Sequence, residues 1–299
     1  MINPPSLEAA LLKTRQLGIR IQLDRRIPDL ADDDICLLSR ILDRHGVVCI
    51  SDQPMSPGEL QDFTSRWGEL IILPGGLAFS NQEPGLPGIT RVGNVRPDGS
   101  IIPSVRYAEY WHHDGNFWAP GQNHVVNFLS SVLVPAVGGN TGFLDCRLAY
   151  EQLDPAQRAE LEGASICVRA SEISDFKQAA ADEIPPDVQH PVLLPHPTTG
   201  EIALYLPNSS TGIQKSDGKR WESVVSLVES SQQKLGIHEH VWTAGDLVIT
   251  DNLQVMHRAM GGYGDHPRLL YRCQARIPQG SRMQAALALR RAGLLNNPT

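Results

Sequence analysis

The sequence predicts one β-rich domain with helical cover, spanning residues 1–299. Three observations carry this reading. Strand-like apolar runs concentrate in the middle and the C-terminal third, helical periodicity is confined to the start, an insertion at about 150–237 and the tail, and no repeat or low-complexity linker divides the chain. A hydrophobic content of 41% suffices for a sizeable core. The formal net charge of -7 is spread without long single-sign runs, which argues against a nucleic-acid partner. No stretch reaches the roughly 18–20 apolar residues of a membrane helix. The N-terminus lacks the basic head and apolar stretch of an export signal, so a cytoplasmic location with no membrane partner is expected. Five scattered cysteines without a CxxC pair read as reduced thiols.

Taken in order, residues 31–45 (ADDDICLLSRILDRH) place Ile35, Leu38, Ile41 and Leu42 at helical spacing behind three aspartates, which suit the positive N-terminal end of a helix. Gly46 ends it, and VVCI (47–50) reads as a buried strand. Ser56, Pro57 and Glu59 form the start signal of a second helix whose face carries Leu60, Phe63 and Trp67. A segment dense in glycine and proline, about 72–110, is expected to be a lid-like loop with one short strand at ITRVGNV. HVVNFLSSVLVP (124–135) is apolar enough for a strand buried on both faces, and GGNTGFLD (138–145) reads as a turn. Asp154, Pro155 and Gln157 open a short helix, and SICVRA and EIALYLP are strand-like. KRWESVVSLVESSQQKL is helical, and HEHVWTAGDLVITDNLQVMHRAM and RLLYRCQARI resume β patterning. The tail at 280–299 reads as a basic amphipathic helix that covers the domain or contacts a second subunit.

The stretch EYWHHDGNFW (109–118) carries the chemistry. In an extended segment alternate side chains share a face, so His112 and Asp114 form a two-pronged chelate while His113 points away. Such a pair needs a third ligand. His257, just after an apolar strand and a TDN turn, is the candidate, although from spacing alone a satisfied half-buried imidazole is the stronger reading. His238 and His240 are rivals without an evident acid partner. Arg268 and Arg272, four apart on a returning strand, put two guanidiniums on one side, where they suit an anionic cosubstrate.

FTSRWGEL, YWHHDGNFW, VPAVGGNTGFLDCRLAY and AGDLVITDNLQVMHRA followed by RLLYR occur in this order between Val47 and Pro278. In this the chain resembles the taurine dioxygenase / clavaminate synthase-like (TauD/TfdA) family of Fe(II)- and 2-oxoglutarate-dependent oxygenases. The resemblance implies a double-stranded β-helix, the jelly-roll core also found in cupins. It implies His112, Asp114 and His257 as iron ligands, and Thr141 and Arg268 as partners of the distal carboxylate of 2-oxoglutarate, with O2 as cosubstrate. Arg272 would approach an acidic group of the substrate. Two imidazoles and a carboxylate hold iron on one face and leave positions open for the 2-oxo acid and O2. Asp114 occupies the position where related halogenases carry Gly or Ala, so halogenation is not expected.

The implied substrate is a small carboxylate-bearing molecule, an amino-acid-derived metabolite of a biosynthetic pathway, hydroxylated or desaturated. Tyr107, Phe117 and Trp118 are candidate contacts for an aromatic or isonitrile derivative. Tyr110 and Trp111 read as packing, and Arg106 as a solvated loop charge. Two rivals stay open: a non-redox metal hydrolase using the same triad, and a metal-free barrel that binds a ligand.

Overall fold

The structure is a computed structural model that describes residues 15–72, 81–103, 108–173, 181–182, 184–207, 212–221 and 224–277. Tyr107, Arg106 and the 280–299 tail lie outside the described residues, as do parts of the expected lid.

A first strand, β1 (Ile19–Gln22), precedes helix α1 (Asp32–His45). The Asp34 carboxylate accepts the Ala31 N–H at 2.9 Å at the start of α1. The helix stops because Gly46 adopts φ 68°, a conformation that a side chain would strain, and its N–H returns to Leu42 O at 2.7 Å. β2 (Val47–Ser51) runs parallel to β1, and α2 (Pro57–Ser65) follows with the Ser56/Glu59 capping box in place. Next come β3 (Glu69–Leu70), β4 (Thr90–Gly93), β5 (Val125–Leu133) and β6 (Thr141–Asp145). Helices α3 (Cys146–Glu151) and α4 (Pro155–Leu161) lead to β7 (Ser165–Val168), β8 (Val188–Pro191), β9 (Leu193–Pro195), β10 (Ile202–Leu204), β11 (Ile213–Gln214) and β12 (Arg220–Trp221). The described chain closes with α5 (Val224–Leu235), β13 (His238–His240), β14 (Leu247–Asp251), β15 (Val255–Ala259) and β16 (Leu269–Arg276).

Among the described residues one large sheet has the order β1-β2-β14-β5-β16-β3, with β4 also on β16, and a smaller one the order β13-β6-β15. Leu129, Val248 and Leu270 of the large sheet meet Phe143 and Val255 of the small one in a shared apolar cluster. These two facing, mainly antiparallel layers are the jelly-roll core that the resemblance implied. The other face of the large sheet packs on α1 and α2, where Phe63, Trp67 and Phe128 make mutual edge-to-face contacts with centroids 5.2–6.0 Å apart. Each such pair adds about 0.5–1.5 kcal/mol beyond the area buried.

The period of two decides what each strand offers. On β5, Val126 and Phe128 enter the helix-facing core while Asn127 and Leu129 point between the sheets. On β16, Cys273 and Ala275 do the former, and Leu270, Arg272 and Gln274 the latter. One expectation is corrected here. GGNTGFLD is more than a turn: Gly138 and Gly139 turn at φ 74° and 72°, and Thr141–Asp145 is a fully buried strand paired with β13 and β15. The alternation was hidden because the strand is covered on both faces.

Candidate metal centre and its cavity

The site is built where the segment before Gly115 runs antiparallel to β15. His112 and His257 exchange backbone hydrogen bonds, N–H to O in both directions at 3.1 Å, and Ala259 N–H reaches Ala108 O at 2.8 Å. This bridge brings together two imidazoles that are far apart in the chain, with ring centroids 4.2 Å apart. Asp114 completes the group: its Oδ1 lies 3.7 Å from His112 Nε2 and its Oδ2 lies 3.7 Å from His257 Nε2. One donor atom from each of the three lies within 4.8 Å of the others.

The protonation states suit a cation. His112 Nδ1 sits 2.9 Å from Tyr110 O, and because a carbonyl only accepts, Nδ1 carries the proton of that bond and Nε2 is the nitrogen turned to the metal side. Burial, followed by the neighbouring His112, pushes His257 down to about 3, so it is neutral at pH 7. Burial alone would raise Asp114, but Arg272, His257, His112 and the Asn127 amide outweigh it and hold the carboxyl well below the usual carboxylate range. Three donors converge on Asp114 Oδ2: Asn127 Nδ2 at 2.7 Å, Gln274 Nε2 at 3.0 Å and Arg272 Nη1 at 3.3 Å. That leaves Oδ1 for a metal. Asn252 Oδ1 accepts the Asp114 N–H at 3.2 Å, fixing the backbone below.

His113 is oriented the other way and is 1% exposed. Its Nδ1 donates to Asn252 O at 2.6 Å, its Nε2 accepts the Leu206 N–H at 3.4 Å, and burial pushes its pKa to about 4. Both nitrogens are used within the core.

A cavity opens beside the triad, with His112, His257, Thr141, Arg268 and Arg272 among its walls. Arg268 is 4% exposed, donates from Nε to Gly139 O at 2.9 Å, and lies 5.7 Å above the Tyr263 ring. Among the described residues no carboxylate pairs with it, and burial lowers its pKa. A buried guanidinium without an acid is a strong anion site, since its charge has been desolvated and awaits compensation. Thr141 Oγ1 accepts the Trp242 indole N–H at 3.1 Å, which leaves the hydroxyl proton free to donate into the same space.

Phe117 and Trp118, expected as substrate contacts, are placed elsewhere. Phe117 packs toward Ala170, Ile173 and Ile184, and Trp118 lies under the Arg276 guanidinium, 4.8 Å away. Neither lines this cavity. The cause is Gly115, which turns the chain at φ 73° so close to Val125 that a Cβ would lie 2.5 Å from its Cγ2. Trp111 donates to Gln232 Oε1 at 3.1 Å and packs under Arg258, while Tyr110 is half exposed.

Two other groups of metal-ligating side chains exist among the described residues. His240 does have an acid partner, contrary to expectation: Asp246 Oδ2 is 3.2 Å from its Nε2, with Cys49 nearby, but Asp246 is already bound to Arg20 at 2.9 Å. In the group His124, His196 and Asp251, His196 Nδ1 accepts the Thr198 and Thr199 N–H groups at 3.3 and 3.2 Å. Its Nε2 therefore carries the proton and donates to Asp251 Oδ2 at 2.9 Å, which is a satisfied structural network and no ligand set.

Sequence reasoning missed Asn127, Gln274 and Asn252. Asn127 was visible as the one amide in a mostly apolar strand, and Gln274 as the next residue of Arg272's face. No local pattern marks Asn252.

The profile of the family described as taurine catabolism dioxygenase TauD, TfdA family matches residues 13–274. An alpha-ketoglutarate-dependent 2,4-dichlorophenoxyacetate dioxygenase of Cupriavidus pinatubonensis is 27% identical over 252 residues, covering 77% of this chain and 84% of that protein. An (S)-phenoxypropionate/alpha-ketoglutarate-dioxygenase of Delftia acidovorans is 27% identical over 251 residues, 76% of this chain and 81% of its own. The crystal structure of AAD-2 in complex with Mn(II) and N-oxalylglycine superposes with a TM-score of 0.75 at 23% identity, over 89% of this chain and 98% of that one. No helix among the described residues is long and apolar enough to cross a membrane.

Proposed function

The chain belongs to the taurine catabolism dioxygenase TauD, TfdA family and is a dioxygenase dependent on Fe(II), 2-oxoglutarate and O2; within that class we propose that it hydroxylates or desaturates a small carboxylate-bearing substrate, an amino-acid-derived metabolite, in the cavity beside His112, Asp114 and His257. The observation that carries the reading is a His–Asp–His triad with an ionised carboxylate beside a cavity walled by the buried Arg268, which has no acid partner among the described residues.

The donor set fits iron. Two imidazole nitrogens and one carboxylate oxygen on a single side are the ligand types of non-heme iron oxygenases. His112 Nε2, His257 Nε2 and Asp114 Oδ1 would hold the metal, which when bound supplies the redox chemistry that couples O2 to loss of CO2 from 2-oxoglutarate. His257 Nδ1 is buried without a hydrogen-bond partner, so this imidazole is oriented by the backbone bridge and its packing on Phe143. Arg268 would take the distal carboxylate of 2-oxoglutarate through its remaining N–H groups, and the Thr141 hydroxyl would donate to the same oxygens. Arg272, whose side chain is 23% exposed, would present its outward N–H groups to a substrate carboxylate while holding Asp114 with the other side. Val92, Leu129 and Leu270 line the walls and keep bulk water from the reacting groups. The two dioxygenase relatives are named for phenoxy acids, which are carboxylates.

The test is succinate release from 2-oxoglutarate with Fe(II) and O2, screened over amino acids, their N-modified derivatives and small aromatic acids. A member of the panel that stimulates release stoichiometrically with its own oxidation supports the reading. Turnover of a substrate without O2 or 2-oxoglutarate, or no absorption change on anaerobic addition of Fe(II) and 2-oxoglutarate, would refute it.

A further inference from the structure

Glu109 is the one acid among the described residues that line the cavity, and the reading above gives it no task. Its place is fixed by backbone. The segment 108–112 is pinned to β15 at Ala108 and His112 by the hydrogen bonds already described. The Glu109 carboxylate lies over Gly261, where a Cβ would come within 2.7 Å of Oε1. Gly261 is itself tied to the cavity floor, since its carbonyl accepts the N–H of Gly139, the residue whose own carbonyl holds Arg268. Bare glycine at 261 therefore makes room for an acid at the cavity mouth. Among the described residues none hydrogen-bonds or ion-pairs with that acid.

Among the described residues, the charges of the cavity and the triad beside it then leave a remainder. Fe(II) with ionised Asp114 and two neutral imidazoles carries one positive charge, 2-oxoglutarate adds two negative ones, and Arg268 returns the sum to zero. Arg272 and Glu109 are left, one cation and one anion, facing the space a substrate would fill. A simple carboxylate would satisfy Arg272 and meet an uncompensated like charge at Glu109. A zwitterion would satisfy both, and the same acid would discriminate against anions that lack a cationic group.

We propose that Glu109 is a specificity-determining residue that reads an ammonium group, so that the substrate is a zwitterionic amino acid or N-alkyl amino acid with its carboxylate toward Arg272 and its nitrogen toward Glu109. This rests on the reading of Arg272 as the substrate-carboxylate partner.

The experiment uses the full chain loaded anaerobically with Fe(II) and 2-oxoglutarate, whose absorption reports events at the metal. Phenylalanine is compared with 3-phenylpropanoate, and leucine with 4-methylpentanoate, by titrating the absorption change and then measuring succinate release in air. In the wild type each zwitterion is expected to bind at least about 10-fold more tightly than its deaminated counterpart, the scale of one charge-assisted hydrogen bond. Glu109→Gln should bring the ratio to within about 3-fold, by weakening the zwitterion and strengthening the anion, while the absorption of the iron and 2-oxoglutarate complex persists. Glu109→Lys should invert the preference. Equal or tighter binding of the anions to wild type, a ratio unmoved by Glu109→Gln, or no response to either series overturns the proposal while the iron and 2-oxoglutarate absorption leaves the family reading standing. Failure of that absorption itself removes both.

Discussion

Truncating Asn127 to Ala tests how the site carboxylate is aimed. The Asn127 amide donates the shortest of three hydrogen bonds to Asp114 Oδ2, at 2.7 Å, and its carbonyl oxygen accepts Gln274 Nε2 at 2.7 Å. Asn127→Ala deletes the first bond and frees Gln274, the second donor at 3.0 Å, leaving Arg272 at 3.3 Å as the one fixed partner. A hydrogen bond to a charged acceptor contributes about 1.5–3 kcal/mol, which corresponds to roughly 10–100-fold in binding. Partners behind metal ligands characteristically cost about that much when removed. Anaerobic Fe(II) titration in saturating 2-oxoglutarate should therefore show a dissociation constant raised about 10–100-fold, whereas Gln274→Ala, which leaves the Asn127 bond intact, should cost less. Melting of the metal-free protein separates a ligand-aiming effect from general loss of structure. An Asn127→Ala protein that melts as wild type and binds Fe(II) within about 2-fold of wild type would refute the argument that Oδ2 must be saturated to leave Oδ1 for the metal.

Arg268→Lys replaces a fork by a point charge and cannot keep the Gly139 bond and engage a carboxylate with two further N–H groups. The KM for 2-oxoglutarate should rise at least about 10-fold while Fe(II) binding without cosubstrate is retained; an unchanged KM would place the distal carboxylate elsewhere. His113→Gln should lower stability by about 1–3 kcal/mol through loss of the buried bond to Asn252, yet keep stoichiometric iron; loss of iron with an unchanged melting temperature would reverse the roles of the neighbouring histidines. Asp43 has its pKa raised to about 6, first by burial and then by the charge of Asp251. Its folded-state pKa exceeds the unfolded one, so the native state binds the proton more tightly and the penalty is full above about 6 and gone below the unfolded value near 4. Asp43→Asn should thus stabilise by about 1–3 kcal/mol at pH 8 and by nothing at pH 4 in denaturant titrations, and an equal gain at both pH values would show that the charge is not the cause.

The legible part of the molecule was whatever depends on local spacing. Ser56 with Glu59, Asp154 with Gln157 and Gly46 mark helix ends because caps are satisfied within three or four residues, and the structure forms each of them. His112 and Asp114 could be paired for the same reason: alternation is a local rule. What escaped was set by residues meeting across the barrel. Asn127 and Gln274 belong to strands 147 positions apart and become a unit only when β5 and β16 pair in the observed register, which puts Asn127 opposite Gln274. Phe117 and Trp118 failed as cavity candidates because the single turn at Gly115, imposed by crowding against Val125, redirects the chain. Composition cannot express that crowding.

The same distinction explains why two adjacent, chemically identical side chains part company. His112 and His113 differ by one step along an extended segment, which sends one toward the space between the sheets and the other into the core under α3 and β10. The backbone exchange between His112 and His257 sets which is which, and Asn252 reinforces it from both sides, receiving the His113 N–H on its backbone oxygen and the Asp114 N–H on its side-chain oxygen. A slip of one residue would send His113 to the metal side and bury Asp114, an ionised group, beside the Asn252 carbonyl, the Leu206 N–H and the Cys146 thiol. The desolvation cost of that misplaced carboxylate, together with the three donors reserved for it between the sheets, fixes the register of the site before any metal arrives.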